Sequence, residues 1–590
     1  MSAQGAVSCP IVLGALRPLG ARMTSQARVF PGSGEQAPYV KWWPWSAALA
    51  GAMLLYASFF PVDLGFLGWI ALVPLLLLTR VRLWVGLGAS WLMGLLFCVP
   101  ALQWIRVASE PMLFAWLALA FCFSLQFPIF MGLARLLGRY RMPLYVSAPS
   151  IWTALEWVRA RIDIGFPWYF LGHSQHDYLW LTQVADLFGV YGVSFVVVMG
   201  NVAIYELVAT WSACAGEHKW RPKALWRLSL RQPSFVWALL VTIAAMTYGG
   251  IRIATGCWAT GPRLALLQGN LPQDVRNDET ALAKIRQHFF ALADEACHMQ
   301  PQPDLVIWSE TSWVDPWVEI AVPRDIGQGS AGNDLTKSEL ARWQEETAIL
   351  EKILARLAKR WPVPQLLGVQ AYVLESRGPV SYNSAVLVDA MGKIRGRYDK
   401  MFRIPFGEYI PWAETLPILR RLSPYEGDYG IEPGATYTVF DLGSCRFSVL
   451  ICYEDTVPHL APRFLRQQPG PDFLVNISND GWFRGTEEHE QHLATARFRA
   501  IECRRALVRA VNMGISCIID GNGAVVALPG SSWTDSKARP AVVVGQVPLD
   551  KRRSLYVLWG DVLPVGCCLL IVTWLPITWW KPSRLRPTAA

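Results

Sequence analysis

The apolar run Phe447-Ser448-Val449-Leu450-Ile451 leads into Cys452-Tyr453-Glu454, which puts a thiol at the end of a strand-like segment. Two further strand ends in the same stretch carry complementary groups, a carboxylate in Trp308-Ser309-Glu310 and an amine in Tyr398-Asp399-Lys400. A thiolate attacks an ester carbonyl well, but a free cysteine has a pKa of about 8.5, so a positioned base or cation must generate it. Glu310 can be that base. Lys400, with the backbone N–H beyond Cys452, can face the oxyanion of a tetrahedral intermediate. Glu408, in Pro405-Phe406-Gly407-Glu408-Tyr409, is a second carboxylate able to orient Lys400 or relay protons. Taken singly, a cysteine that closes an apolar strand is ordinarily a small core hydrophobe. Taken together, thiol, carboxylate and amine are the parts of covalent acyl transfer.

Residues 262–552 must position these groups, and there short β-rich runs alternate with amphipathic helices, an α/β pattern. Strands are expected at Arg263–Gln268, Leu305–Trp308, Gln365–Val373, Ser384–Val388, Phe447–Cys452 and Phe473–Ile477. Helices are expected at Glu279–Cys297, Glu346–Arg360 and His489–Arg504. Functional groups in such folds sit just past strand ends, where Glu310 and Cys452 fall.

The rest of the chain has a different solvent. With 53% hydrophobic residues and 29 Trp among 590, the sequence is too apolar for a soluble enzyme. The excess fills residues 42–256 and 553–580. A bilayer core takes about 20 apolar residues per helix. Trp43–Phe60, Leu83–Trp104, Met112–Ala134, Phe235–Ile251 and Leu555–Trp580 meet that need, with softer segments at Leu64–Leu78, Tyr145–Trp157 and Trp180–Trp211. The expected plan is a polytopic bundle of about seven helices, an inserted α/β domain and one last span.

Lys and Arg in the short loops set orientation. Placing Arg17, Arg22 and Arg28 in the cytoplasm also puts Arg80, Arg82, Arg135, Arg139, Arg141 and the Lys219–Arg231 loop there, with Lys581, Arg584 and Arg586 in the tail. The opposite loops are poorer in positive charge, so residues 262–552 are expected outside the cytoplasm, in the periplasm if the host is a bacterium. Residues 1–41 are expected to be a disordered basic cytoplasmic extension and 581–590 a cytoplasmic tail, with the first span an uncleaved anchor. The basic loops account for much of the net charge of +9, and nucleic-acid binding has no support. The 12 Cys form no spaced framework, and no Cys-x-x-Cys or His-rich cluster suggests a metal or cofactor.

Tyr398-Asp399-Lys400, Pro405-Phe406-Gly407-Glu408 and Cys452-Tyr453-Glu454, with Trp308-Ser309-Glu310-Thr311, resemble the lysine, cysteine and glutamate signatures of the nitrilase superfamily. Joined to the spans they resemble the apolipoprotein N-acyltransferase family. Further matches are Gln268-Gly269-Asn270-Leu271-Pro272-Gln273, Asn479-Asp480-Gly481-Trp482-Phe483, Gln491-His492, Glu156-Trp157 and Gly165-Phe166-Pro167-Trp168.

The resemblance implies a four-layer α-β-β-α sandwich for the inserted domain and a ping-pong reaction. Cys452 would take an acyl chain from the sn-1 ester of a phospholipid, typically phosphatidylethanolamine, and pass it to the N-terminal amine of a diacylglyceryl apolipoprotein. Glu310 would be general base, Lys400 the oxyanion stabiliser, and Glu408, Tyr453 and Glu454 supporting groups. Trp168 and Trp482 would contact substrate, Trp168 at the lipid entrance. The alternatives are a membrane-anchored nitrilase-type amidohydrolase and a transporter or receptor with a ligand-binding domain. Two departures stand out. Arg276-Asn277-Asp278 occupies a position where the family often has Trp, and Val314–Trp343 is long enough to suggest either a lid, carried by Trp313, Trp317 and the Gly327–Asp334 stretch, or a neutral surface insertion.

Overall fold

The computed structural model describes residues 42–162, 165–215, 229–321, 337–375, 378–412, 415–418, 430–537 and 539–579. The expected extension, the C-terminal tail and Gly327–Asp334 lie outside them.

Helices α1 (Trp43–Ala57), α2 (Leu83–Ala101), α3 (Met112–Ser124), α4 (Gln126–Arg139), α5 (Leu144–Arg161), α6 (Val190–Ala215) and α7 (Pro233–Ala254) precede the sheet domain. Among the described residues, Leu83–Ala101, Met112–Arg139, Val190–Trp211 and Pro233–Ala254 are long and apolar enough to cross a membrane. Gly65–Arg80 and Val562–Trp574 are shorter apolar helical stretches. Trp180–Trp211, read as one long segment, is instead broken into Leu179–Thr182, Ala185–Phe188 and α6. The break is at Gly189, whose φ of +67° suits glycine, and a Cβ there would meet the Tyr556 ring at 2.8 Å.

The inserted domain contains β1 (Trp258–Gln268), α8 (Leu282–His298), β2 (Leu305–Ile307), β3 (Trp313–Ile320), α9 (Lys337–Arg360), β4 (Gln365–Glu375), β5 (Gly378–Val388) and β6 (Ile394–Asp399). Next come β7 (Phe440–Asp441), β8 (Arg446–Ile451), β9 (Phe473–Ser478), α10 (Glu488–Cys503), β10 (Leu507–Val511), β11 (Cys517–Ile519), β12 (Val525–Ala527) and β13 (Ala541–Asp550). One sheet has the order β13-β1-β2-β4-β5-β6, with β3 also on β4; the other runs β12-β11-β10-β9-β8-β7. The sheets face each other, β1 on β10 and β5 on β8. Helices α8 and α9 cover the first sheet and α10 the second, which gives the α-β-β-α sandwich. Burial on both faces explains the nearly continuous apolar run of β8, interrupted by Ser448 alone between Phe447 and Ile451, where alternation would mark a half-exposed strand. Helix α11 (Val562–Trp579) follows the domain and packs on α5.

The lid expectation fails at its aromatic end. Trp313 and Trp317 lie in β3, 3% and 0% exposed, packed with Phe290, Trp308 and Trp361 between the first sheet and its helices. Asp315 and Pro316 masked the strand pattern; the two tryptophans are core.

Candidate active site

Three strand ends converge. β2 ends before Glu310, β6 before Lys400 and β8 before Cys452. The backbone turns sharply at two of these ends: Thr311 has φ +45° and Cys452 φ +52°, left-handed values that non-glycine residues hold only under constraint. For Cys452 the constraint is visible. Glu454, fully buried, accepts from Ile451 N at 2.7 Å, Met401 N at 2.6 Å, Phe402 N at 3.0 Å and both ways from Tyr398 Oη at 2.9 Å. One carboxylate therefore ties the end of β8 to the chain just past Lys400. Burial lifts Glu454 to about 7 against the pull of those N–H groups.

Lys400 is wholly buried, its Nζ 2.6 Å from Glu408 Oε1 and 3.7 Å from Glu310 Oε1. Glu408 is fixed in turn by Ile404 N at 2.8 Å. Burial opposes the ammonium charge, but Glu408, Cys452 and Glu310 outweigh it and hold Lys400 above its ordinary value. Glu310 is 6% exposed and accepts from Asn383 Nδ2 at 2.7 Å. Burial raises its pKa, Lys400 pulls it down, Glu408 raises it, and Asn383 and Arg276 pull it down, with a net rise. Burial and then Glu310 push the Cys452 thiol well up, against Lys400. Burial thus favours the neutral thiol of Cys452 beside a carboxylate made more basic by burial, an arrangement suited to general-base chemistry.

Tyr453 reaches outward. Its Oη donates to Gly165 O at 3.1 Å and its ring stacks on Phe166 at 5.8 Å, joining the Cys452 turn to the loop after α5. Trp168, expected at an entrance, is 3% exposed, packs against Phe166, Trp104 and the His492 ring, and donates from Nε1 to Gln491 Oε1 at 2.9 Å. Trp482 is half-buried in a single turn after Asn479. Asn277 is exposed and accepts from Gln273 Nε2 at 2.7 Å.

Two groups went unread as site residues. Asn383 is a buried polar side chain in β5, between Tyr382 and Ser384, and its local sequence does not distinguish it from its polar neighbours. The second is a buried ionic cluster beside the Cys452 turn. Arg509 pairs with Asp455, and His492 Nε2 lies 2.7 Å from Asp455 Oδ1 and Nδ1 3.3 Å from Asp480 Oδ1. Asp480, Glu488 and His492 have the spacing of metal ligands, as do Asp63, His176 and Asp177. In both groups an arginine already supplies the cation, Arg509 at 3.5 Å from Asp480 and Arg497 at 2.6 Å from Asp177, so the donor sets fit ion pairing better than a metal. Burial opposes charge on His492, yet Asp455 and Asp480 hold it well above its ordinary value.

Comparison with known proteins agrees with this architecture. The profile "Apolipoprotein N-acyltransferase N-terminal domain" matches residues 51–203 and "Carbon-nitrogen hydrolase" matches 263–556. An apolipoprotein N-acyltransferase of Geobacter metallireducens is 30% identical over 536 residues, 88% of this chain and 92% of that protein. One of Rhodopirellula baltica is 28% identical over 593 residues, 93% and 100% of the two chains. One of Chlorobaculum tepidum is 28% identical over 553 residues, 89% and 94%. With a bundle profile and a hydrolase profile in the order the helices and sheets require, the chain belongs to the apolipoprotein N-acyltransferase family.

Proposed function

We propose that this membrane enzyme moves an acyl chain from the sn-1 position of a phospholipid, phosphatidylethanolamine in the first instance, to the N-terminal amine of a diacylglyceryl-cysteine lipoprotein. The reading is carried by one observation: Glu310, Lys400 and the Cys452 turn converge where Tyr453 bonds the bundle loop at Gly165. Diacyl lipids scarcely leave a bilayer, since burial is worth about 0.8 kcal/mol per CH₂. Donor and acceptor must therefore reach the thiol sideways from the membrane.

Glu310 takes the Cys452 proton as Sγ attacks the ester carbonyl. Lys400 and the N–H of Tyr453 stabilise the oxyanion. Collapse breaks the C–O bond, and the proton on Glu310 passes to the glycerol oxygen; lysophospholipid leaves and a thioester remains. The lipoprotein amine then attacks the thioester, Glu310 takes its proton and returns it to Sγ, and an amide is formed. Glu408 holds Lys400, Glu454 holds the Cys452 turn, and the packed Phe166–Trp168 aromatics help exclude water, the competing nucleophile. Trp482 is proposed as a second substrate contact. The charge of the loops supports about seven spans before the domain and one after it, both ends in the cytoplasm and residues 262–552 in the periplasm.

Mass spectrometry of the full chain after exposure to phospholipid vesicles tests the reading. An acyl adduct on Cys452 that persists, then clears on addition of a diacylglyceryl-cysteine peptide, is expected. An adduct that clears in water alone identifies an amidohydrolase, and full transfer by Cys452→Ser sinks the mechanism.

A further inference from the structure

Strand β2 has three residues, too few to hold the direction of the side chain that follows it. The turn carrying Glu310 is instead gripped from two sides. On one side it lies flat on β4 at Gly368, where a Cβ would sit 2.2 Å from Ser309 O and 2.9 Å from Glu310 Cα. On the other side stands Arg276, at the end of the short helix Gln273–Arg276. Its Nη2 donates to Thr311 O at 2.5 Å, Thr311 Oγ1 at 2.9 Å and Glu310 O at 3.2 Å. Thr311 is the β-branched residue at φ +45°, a left-handed conformation that persists only when its surroundings impose it. Arg276 is half-buried, and burial lowers its pKa to about 10 against Glu310, so it stays a cation at neutral pH.

We infer that Arg276 is a positioning residue for acyl transfer, which aims the Glu310 carboxylate by binding the backbone of residues 310–311 and keeps a second cation beside it. The inference rests on the reading of Glu310 as general base. A guanidinium suits the task because its planar N–H groups reach several acceptors at fixed angles, whereas a lysine offers one flexible charge. It also gives a use to the departure at Arg276-Asn277-Asp278: the arginine belongs to the catalytic turn while Asn277 stays at the surface.

The test uses the full chain in phospholipid vesicles, with the rate of Cys452 acylation followed across pH. Arg276→Gln is expected to slow acylation at saturating donor by about 10- to 100-fold, with KM within about twofold. Its acidic limb should move to higher pH, by about half a unit or more, because Glu310 loses a cation that favours its ionised form. Arg276→Lys should return the limb to its original place but only part of the rate. An unmoved limb in Arg276→Gln, or a full rate in Arg276→Lys, overturns the inference. If Arg276→Gln does not fold, the lysine variant decides, and Thr311→Ala, which removes one of the three bonds, should show a several-fold slower rate; a full rate in both counts against it. Glu310→Gln separates the two levels. Residual full acylation there sinks the base assignment itself, whereas an inactive Glu310→Gln beside an unaffected Arg276→Gln sinks only the role of the arginine.

Discussion

The two helical layers of the sandwich face different partners. Helix α9 lies on the outside of the first sheet: Leu350 and Leu354 point inward, while most of its Lys, Arg and Glu are exposed or half-exposed. Helix α10 is as polar in composition, with Glu488, His489, Glu490, Gln491, His492, Arg497, Arg499 and Glu502, yet all of its residues are buried. The membrane bundle covers the face that α9 gives to water. Gln491 Nε2 bonds Phe60 O at 3.0 Å, Glu502 Oε1 accepts from Val190 N at 2.8 Å, and Arg504, just past the helix, meets Asp186 at 2.7 Å. A polar helix at such a junction bonds to two surfaces at once, and that couples the catalytic domain to the bundle in one register.

The sharpest way to break this contrast is Asp186→Ala. It strands the fully buried Arg504 guanidinium with only Gln183, Gly521 and Asn522 for company. Breaking a buried pair from one side costs about 3–5 kcal/mol, and here the same change also takes the partner of Arg252, leaving two guanidinium groups close together without their shared carboxylate. The unfolding midpoint in detergent should fall by several degrees, and proteolysis should separate bundle from domain. An unchanged midpoint would mean the junction is held by apolar packing alone.

A smaller effect comes from pH. Burial pushes Glu502 up to about 8, against Arg499 and the Val190 N–H, and lifts Glu454 to about 7. A carboxyl whose folded pKa lies above its unfolded value adds stability below the unfolded pKa, about 4.3, and loses it as pH rises through the folded one. The midpoint should therefore drop by a few degrees between pH 5 and pH 9, and Glu502→Gln should flatten the drop. A midpoint that rises over that window contradicts the burial of α10.

The legible parts of this molecule were those in which one residue pattern serves one surface. The apolar runs of β1, β4, β8 and β9 and the amphipathic α9 read directly, because a strand between layers and a helix at water each impose a simple period. The convergence of Glu310, Lys400 and Cys452 was legible because each follows the end of a strand. Strand β3 was hidden by Asp315-Pro316, whereas β10 and β13 carry apolar runs, Leu507-Val508 and Val542-Val543-Val544, that went unread. The full burial of α10 could not be read from its composition, since only a second covering surface makes those polar groups interior. Asn383 and the grip of Arg276 on Thr311 depend on contacts between distant segments, which no local pattern carries.

Tyr453→Phe probes the junction next to Cys452, the proposed nucleophile. It keeps the stack on Phe166 and removes one neutral hydrogen bond to Gly165 O, worth about 1 kcal/mol. Acylation of Cys452 should slow several-fold with little change in midpoint, because the bond sets the approach of the bundle loop to the thiol; a drop in midpoint with an intact rate would make the contact structural.

At the far end of the scale, Arg342→Ala on α9 breaks an i,i+4 pair with Glu346 at 2.9 Å whose arginine is 79% exposed. Solvent and salt already screen that pair, so the midpoint and the transfer rate should both stay where they are. The two helices carry similar charges, so the same kind of lesion distinguishes them by their surroundings. A measurable loss from Arg342→Ala would mean that α9, too, has a covered face, and that a partner occupies the side assigned to water.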